Sequence, residues 1–198
     1  MIAFRTATAQ DAAGIRAVYA PYIETTVFTF ETELPTVQDI AARIEKGLKK
    51  FPWIVCTIDG TIAGYVYASA HRDREAYQWT CECSVYIDAR FHGRGLGPSL
   101  YSALFQILKM QGLKTVYAGI TLPNEPSVRL HEKCGFEHFA TYEQVGYKFN
   151  NWQKVGWWRL QLNDYSLNPT PPLDFSAMDQ SRFTSLLQKS AEGVKNKA

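Results

Sequence analysis

No stretch of this chain is apolar for long enough to cross a bilayer. Its start, Met1-Ile-Ala-Phe-Arg5, lacks the basic opening and long apolar core of a secretory signal. A cytoplasmic location and no membrane partner are therefore expected. Charge of one sign is scarce as well: 21 Lys and Arg stand against 19 Asp and Glu. That balance carries no general nucleic-acid footprint, so no nucleic-acid partner is expected. Cysteine is limited to Cys56, Cys81, Cys83 and Cys134. Cys81 and Cys83 form C-x-C inside a strand pattern, not the C-x-x-C of a metal knuckle, so no metal site is expected. In a reducing compartment the four read as thiols that fill space. No internal repeat is present.

What the chain does have is a glycine loop, Arg90-Phe-His-Gly-Arg-Gly-Leu-Gly97. A β-branched run, Cys83–Ile87, leads into it, and an amphipathic run from Pro98 leaves it. Strand, glycine loop, helix is the architecture of an anion site. Glycine lets the backbone approach a charged group, and the free N–H groups of a helix start point at it. A phosphate ester is the ligand this suggests. It is not a Walker loop, because no Lys-Ser or Lys-Thr follows the glycines. It is not a dinucleotide fingerprint, because Leu100 stands where the third glycine would fall. Glycine spacing alone leaves a ligand-free turn equally open.

Around the loop the pattern alternates. Strands are expected at Ile2–Thr6, Phe51–Ile58, Ile62–Ala70, Trp79–Asp88, Thr115–Thr121, Glu137–Tyr147 and Trp152–Leu162, with Asp59-Gly60 as a hairpin turn. Thr8-Ala-Gln-Asp11 and Thr36-Val-Gln-Asp39 read as capping boxes opening helices to about Ile23 and Lys50. Further helices are expected from Pro98 to near Gly112 and from about Pro126 to Cys134. The fold class is α/β: a central mixed sheet, mostly antiparallel and parallel around the glycine loop, flanked by helices. The main unit is residues 1–162. Pro169, Pro171 and Pro172 make a linker of the segment that follows, and Ser176-Ala-Met-Asp179 reads as the cap of a short helix within 163–198.

This order, with the loop, resembles the GNAT superfamily of N-acetyltransferases. The family writes its loop as Gln or Arg, x-x-Gly-x-Gly or Ala, and here His92-Gly-Arg-Gly95-Leu-Gly97 fills it, with His92 in the first place. A narrower likeness rests on Glu82-Cys-Ser-Val-Tyr-Ile87, Arg72–Thr80, Leu122–Phe136 and Gly146–Trp157. These resemble the phosphinothricin acetyltransferase branch, with Phe149-Asn150-Asn151 where that branch commonly has His-Gly-Gly. The resemblance implies a GNAT fold, splayed at an acetyl-CoA site. It implies that His92, Gly93, Arg94, Gly95, Leu96, Gly97, Pro98 and Ser99 cradle the pyrophosphate. Val85, Tyr86 and Ile87 would hold the pantetheine arm, with Asn124 and Ser127 beside it.

Acetyl transfer needs a neutral amine, because an ammonium has no lone pair, and a stabilised thiolate leaving group. Alternation puts Glu82 with Ser84 and Tyr86 on one strand face and Cys81 with Cys83 on the other. A carboxylate in mid-sheet must be paired or open to a cleft. Read from the residues, Glu82 is a structural ion pair or a general base; the resemblance favours the base. His131 alone is a satisfied core histidine or a catalytic one; the resemblance places it in the catalytic constellation, acid or base. Asn124 is equally a helix N-cap. By resemblance Arg72, Arg74, Tyr77 and Phe30 bind the acceptor, since guanidinium forks grip carboxylate and phosphinate oxygens. The expected reaction is acetylation of the α-amine of a small amino-acid analogue such as phosphinothricin or methionine sulfoximine, by direct attack in a homodimer. Another small amine as acceptor, or a non-catalytic acyl-CoA sensor, are the alternatives.

Overall fold

Two threonines start the helical layer. In the computed structural model, which describes residues 1–195, the Thr36 hydroxyl accepts from Asp39 N–H at 3.1 Å while Thr36 N–H donates to the Asp39 carboxylate at 2.9 Å. This reciprocal pair opens α2, Val37–Leu48. Thr8 N–H likewise donates to Asp11 at 2.8 Å. There the first turn is a 3-10 turn, and α1 runs from Ala12 to Thr25. Both Asp11 oxygens also accept from the Arg5 guanidinium at 2.7 and 2.6 Å, which ties this turn to β1, Ile2–Thr6.

The remaining strands are β2 (Trp53–Ile58), β3 (Thr61–Ala70), β4 (Thr80–Ile87), β5 (Thr115–Leu122), β6 (Glu137–Lys148) and β7 (Asn151–Gln161). Between them lie α3 (Leu96–Gln111) and α4 (Glu125–Lys133), and α5 (Ser181–Lys195) ends the described chain. Asp59 and Gly60 both take positive φ, 49° and 82°, the backbone of a two-residue hairpin turn between β2 and β3. The seven strands form one sheet in the order β1-β2-β3-β4-β5-β7-β6. Every pairing is antiparallel except β4 with β5.

That one parallel pairing is short. Thr80, Cys81 and Glu82 pair with Thr115, Val116 and Tyr117, and then the strands part. From Cys83 to Ile87, β4 keeps only β3 beside it, and β5 continues to Leu122 against β7. The sheet is therefore splayed in its middle, as the resemblance implied.

Each face has its own core. Leu100, Tyr101, Leu104, Ile107 and Leu108 of α3 are fully buried on one face. Burial of each large apolar side chain contributes about 1.5–3 kcal/mol, which fixes the helix behind the glycine loop. Ile15, Val18, Ile23, Ile40 and Ile44 of α1 and α2 bury against Val55 and Tyr65 on the other face. The chain after β7 returns to the first core: Phe175, Phe183, Leu187, Ala191 and Val194 are buried in it. Asp179, rather than Ser176, meets the start of α5, accepting from Ser181 N–H at 3.0 Å. Ser176 instead donates to Lys49 C=O at 2.9 Å. The last three residues lie outside the described chain.

Candidate active site

The splay between β4 and β5 opens a cleft of about 500 Å³. Its walls are Cys83–Ile87 of β4, Gly119–Thr121 of β5, the start of α3, and one side of α4. The strand edges that face each other here lack a neighbouring strand; on β4 the Tyr22 hydroxyl takes the backbone groups of Ile87, which leaves the edge before it for a ligand that lies along it.

The glycine loop closes one end. Gly93 and Gly95 hold φ of 77° and 76°, a region that side chains rarely adopt, and nothing lies within 4 Å of where a Cβ would stand. Gly95 caps α3, so the first N–H groups of a buried sixteen-residue helix face that open space. The space and the donors fit a diphosphate. Gly93, Gly95, Leu96, Gly97 and Pro98 line the cleft, as do Val85, Tyr86, Ile87 and His92. Arg94 and Ser99 do not line it: Arg94 is exposed, its guanidinium 5.3 Å from the Phe91 ring, and Ser99 is half-buried. His92 turns back on its own strand. Its Nε2 lies 2.9 Å from Ile87 C=O, which also accepts from the Tyr22 hydroxyl at 2.7 Å. The first side chain of the loop thus closes the end of β4.

On the far wall Asn124 does two things at once. It lines the cleft, and its side-chain oxygen accepts from Ser127 N–H at 3.3 Å to cap α4. Ser127 lines the cleft one turn before His131. His131 is 4% exposed, with Nδ1 2.7 Å from Ser127 C=O and Nε2 2.8 Å from the Tyr101 hydroxyl. A carbonyl can only accept, so Nδ1 carries the proton and Nε2 accepts from Tyr101. Burial pushes the His131 pKa down, against the backbone bond, which pushes it up. A neutral imidazole is the result. Tyr101, itself fully buried and pushed well up by burial, also lines the cleft.

Glu82 stands on the opposite face. Cys81 and Cys83 point into the α3 core, and Glu82 is half-buried on the α1–α2 side. It is paired: His71 Nδ1 lies 2.8 Å from its Oε1. Glu82 and His131 therefore approach the splay from its two sides. The arrangement can receive a proton on one face and hold a neutral phenol–imidazole pair on the other.

The acceptor-side residues are more dispersed. Arg72, Arg74 and Tyr77 occupy the exposed segment between β3 and β4, and none lines the cleft. Tyr77 reaches back to His71, ring centroids 5.9 Å apart. Phe30, partly exposed, packs on Gly146, where any side chain would collide with its ring. Sequence reasoning missed His71, Tyr101 and Tyr22. His71 opens the segment Arg72–Thr80 that carried the family likeness, and Tyr101 lies one helical turn after Gly97-Pro98; a link between such positions shows only once the strands are paired.

Comparison with known proteins decides what this cleft belongs to. Residues 4–157 match the family model of the acetyltransferase (GNAT) domain. The chain is a GNAT acetyltransferase. A phosphinothricin N-acetyltransferase from Streptomyces viridochromogenes is 40% identical over 171 residues, 86% of this chain and 91% of that one. An L-methionine sulfoximine/L-methionine sulfone acetyltransferase from Salmonella typhimurium is 30% identical, over 82% of this chain and 95% of that one. The crystal structure of a phosphinothricin acetyltransferase from Sinorhizobium meliloti, in complex with AcCoA, superposes with a TM-score of 0.80 at 26% identity. It covers 88% of this GNAT acetyltransferase and 98% of its own chain. Among the described residues no group of three His, Cys, Asp or Glu could hold a metal ion, and no helix is long and apolar enough to cross a membrane.

Proposed function

We propose that this acetyltransferase moves the acetyl group of acetyl-CoA to the α-amine of a small amino-acid analogue of the phosphinothricin or methionine sulfoximine type, by direct attack in a ternary complex in the cytoplasm. The observation that carries the reading is the cleft itself. A glycine cradle, a splayed strand and a neutral phenol–imidazole pair line one cleft, in a chain similar to phosphinothricin N-acetyltransferases along most of its length. Acetyl-CoA, when bound, supplies the activated acyl group.

The chain's own residues do the rest. Gly93, Gly95, Leu96 and Gly97, which line the cleft, hold the pyrophosphate through backbone donors, and the open β4 edge before Ile87 aligns the pantetheine arm. Glu82 is the general base: an α-amine arrives as an ammonium, and Glu82 takes its proton. At the thioester end the Tyr101 hydroxyl donates to His131 Nε2, and the phenol turns this proton from the imidazole to the departing thiolate, so His131 acts through the phenol it touches. Arg72 and Arg74, on the segment that begins with His71, meet the acceptor's oxyanions, with Tyr77 and Phe30 beside them. Exposed aromatics on the β6–β7 hairpin support a homodimer: Tyr147 and Trp152 are 56% and 58% exposed.

The test is CoA-thiol release from acetyl-CoA across an amine panel. Phosphinothricin, methionine sulfoximine and methionine sulfone should give the highest kcat/KM, undiminished by a chelator. Release only with unrelated amines would assign another acceptor, and binding without release would make the protein a sensor.

A further inference from the structure

His71 and Glu82 are eleven residues apart, but the antiparallel register of β3 and β4 folds the connecting segment so that they meet. Ser69 pairs with Glu82 across the sheet, and His71 follows two residues later, just past the end of β3. There its Nδ1–H donates to Glu82 Oε1 at 2.8 Å. The imidazole is itself held from three sides. Its centroid lies 4.9 Å from Tyr117 on β5, 5.9 Å from Tyr77 on the β3–β4 segment, and 6.2 Å from Trp157 on β7. A half-buried histidine boxed by three aromatics and bonded to one carboxylate oxygen is a fixed donor, and the other oxygen of that carboxylate is left for a second partner.

We infer that His71 is the positioning residue for Glu82: its bond to Oε1 fixes the rotamer of the carboxylate, so that Oε2 is presented to the acceptor ammonium. The inference rests on Glu82 being the base. A carboxylate held by no donor turns among several rotamers, only some of which aim an oxygen at the acceptor. A donor on one oxygen removes that freedom and leaves the second oxygen aligned. The other groups around the pair do not replace this donor. Tyr67 on β3 and Tyr117 on β5 flank Glu82 as phenols, Tyr77 reaches only the imidazole, and the thiols of Cys81 and Cys83 lie on the opposite face. Arg72 is adjacent in sequence but exposed.

The experiment compares three variants of the full chain: His71→Phe, which keeps a ring against Tyr117 but removes the donor; His71→Asn, whose amide restores a donor near the Nδ1 position; and Glu82→Gln. For each, and for His71→Phe combined with Glu82→Gln, kcat and both KM values are measured with phosphinothricin. The acetyl-CoA KM serves as the folding control. His71→Phe should lower kcat by about tenfold while the acetyl-CoA KM stays near that of the wild type, because Glu82 without its donor is no longer aimed at the amine. His71→Asn should recover most of the lost rate. On a Glu82→Gln background, His71→Phe should have no further effect on kcat. If Glu82→Gln abolishes turnover while His71→Phe leaves kcat unchanged, the positioning role is wrong. If Glu82→Gln turns over normally, the base assignment itself fails. Should His71→Phe not fold, a His71→Asn kcat lowered by the full factor of about ten would equally overturn the inference.

Discussion

At the residue scale the site is a set of solved hydrogen-bond problems. Burial holds the His131 imidazole below its ordinary pKa, against the bond to Ser127 C=O, which pushes it up. The folded chain therefore binds this proton more weakly than the unfolded chain, where histidine titrates near about 6.5. The stability that follows is complete above about pH 6.5 and is lost as pH falls through the lower folded value. Melting curves from about pH 8 to 5 should show Tm falling on the acid side, and His131→Asn should flatten that fall. Parallel curves for the two proteins would mean that His131 is not the group responsible. Gly95 and Gly97 were legible in the sequence because a glycine loop between strand and helix is a local signal. The Tyr101–His131 and His71–Glu82 pairs were not, since each joins residues of different elements through tertiary packing.

At the scale of elements, the local signals located the helices and the hairpin turn, and left the boundaries to geometry. Thr36 and Asp39 cap α2 as their spacing implied. By contrast α3 begins at Leu96, before the expected Pro98, because Gly95 in the left-handed region already turns the chain into the helix. The β6–β7 hairpin carries a surface that period-two patterning does not explain as core: Phe139, Tyr142, Val145, Tyr147 and Trp152 are all exposed. If two copies pair there, Trp152→Arg should shift sedimentation from dimer to monomer. Its own fold should change little, since the side chain is exposed and such changes usually stay within about 0.5 kcal/mol. An unchanged dimer, or a monomeric wild type, would move the interface elsewhere or remove it.

At the scale of the molecule, the tail is part of the core that holds the cradle. Phe183 is 1% exposed and stacks on Phe175 with centroids 5.2 Å apart, and α5 packs on β1 and α3. Sequence pattern marked the apolar face of this helix, but not the surface that receives it. Phe183→Ala should cost about 3–5 kcal/mol. For a chain of this size that lowers Tm by about 6–20 °C. The acetyl-CoA KM below the transition should stay near that of the wild type, because no tail residue lines the cleft. A large change in KM with an unchanged Tm would place the tail in the site.

The site account rests on a division of labour across the splay: backbone donors of the glycine loop hold the cofactor, and Glu82 serves the acceptor. Calorimetry of acetyl-CoA binding to Gly95→Asp and Glu82→Gln measures it most directly. Gly95→Asp strains a left-handed position and sets a carboxylate where the pyrophosphate belongs, so binding should weaken by at least about tenfold. Glu82→Gln should bind acetyl-CoA as the wild type does while its kcat falls by roughly ten- to ten-thousandfold. Equal effects of the two substitutions on binding would contradict the account.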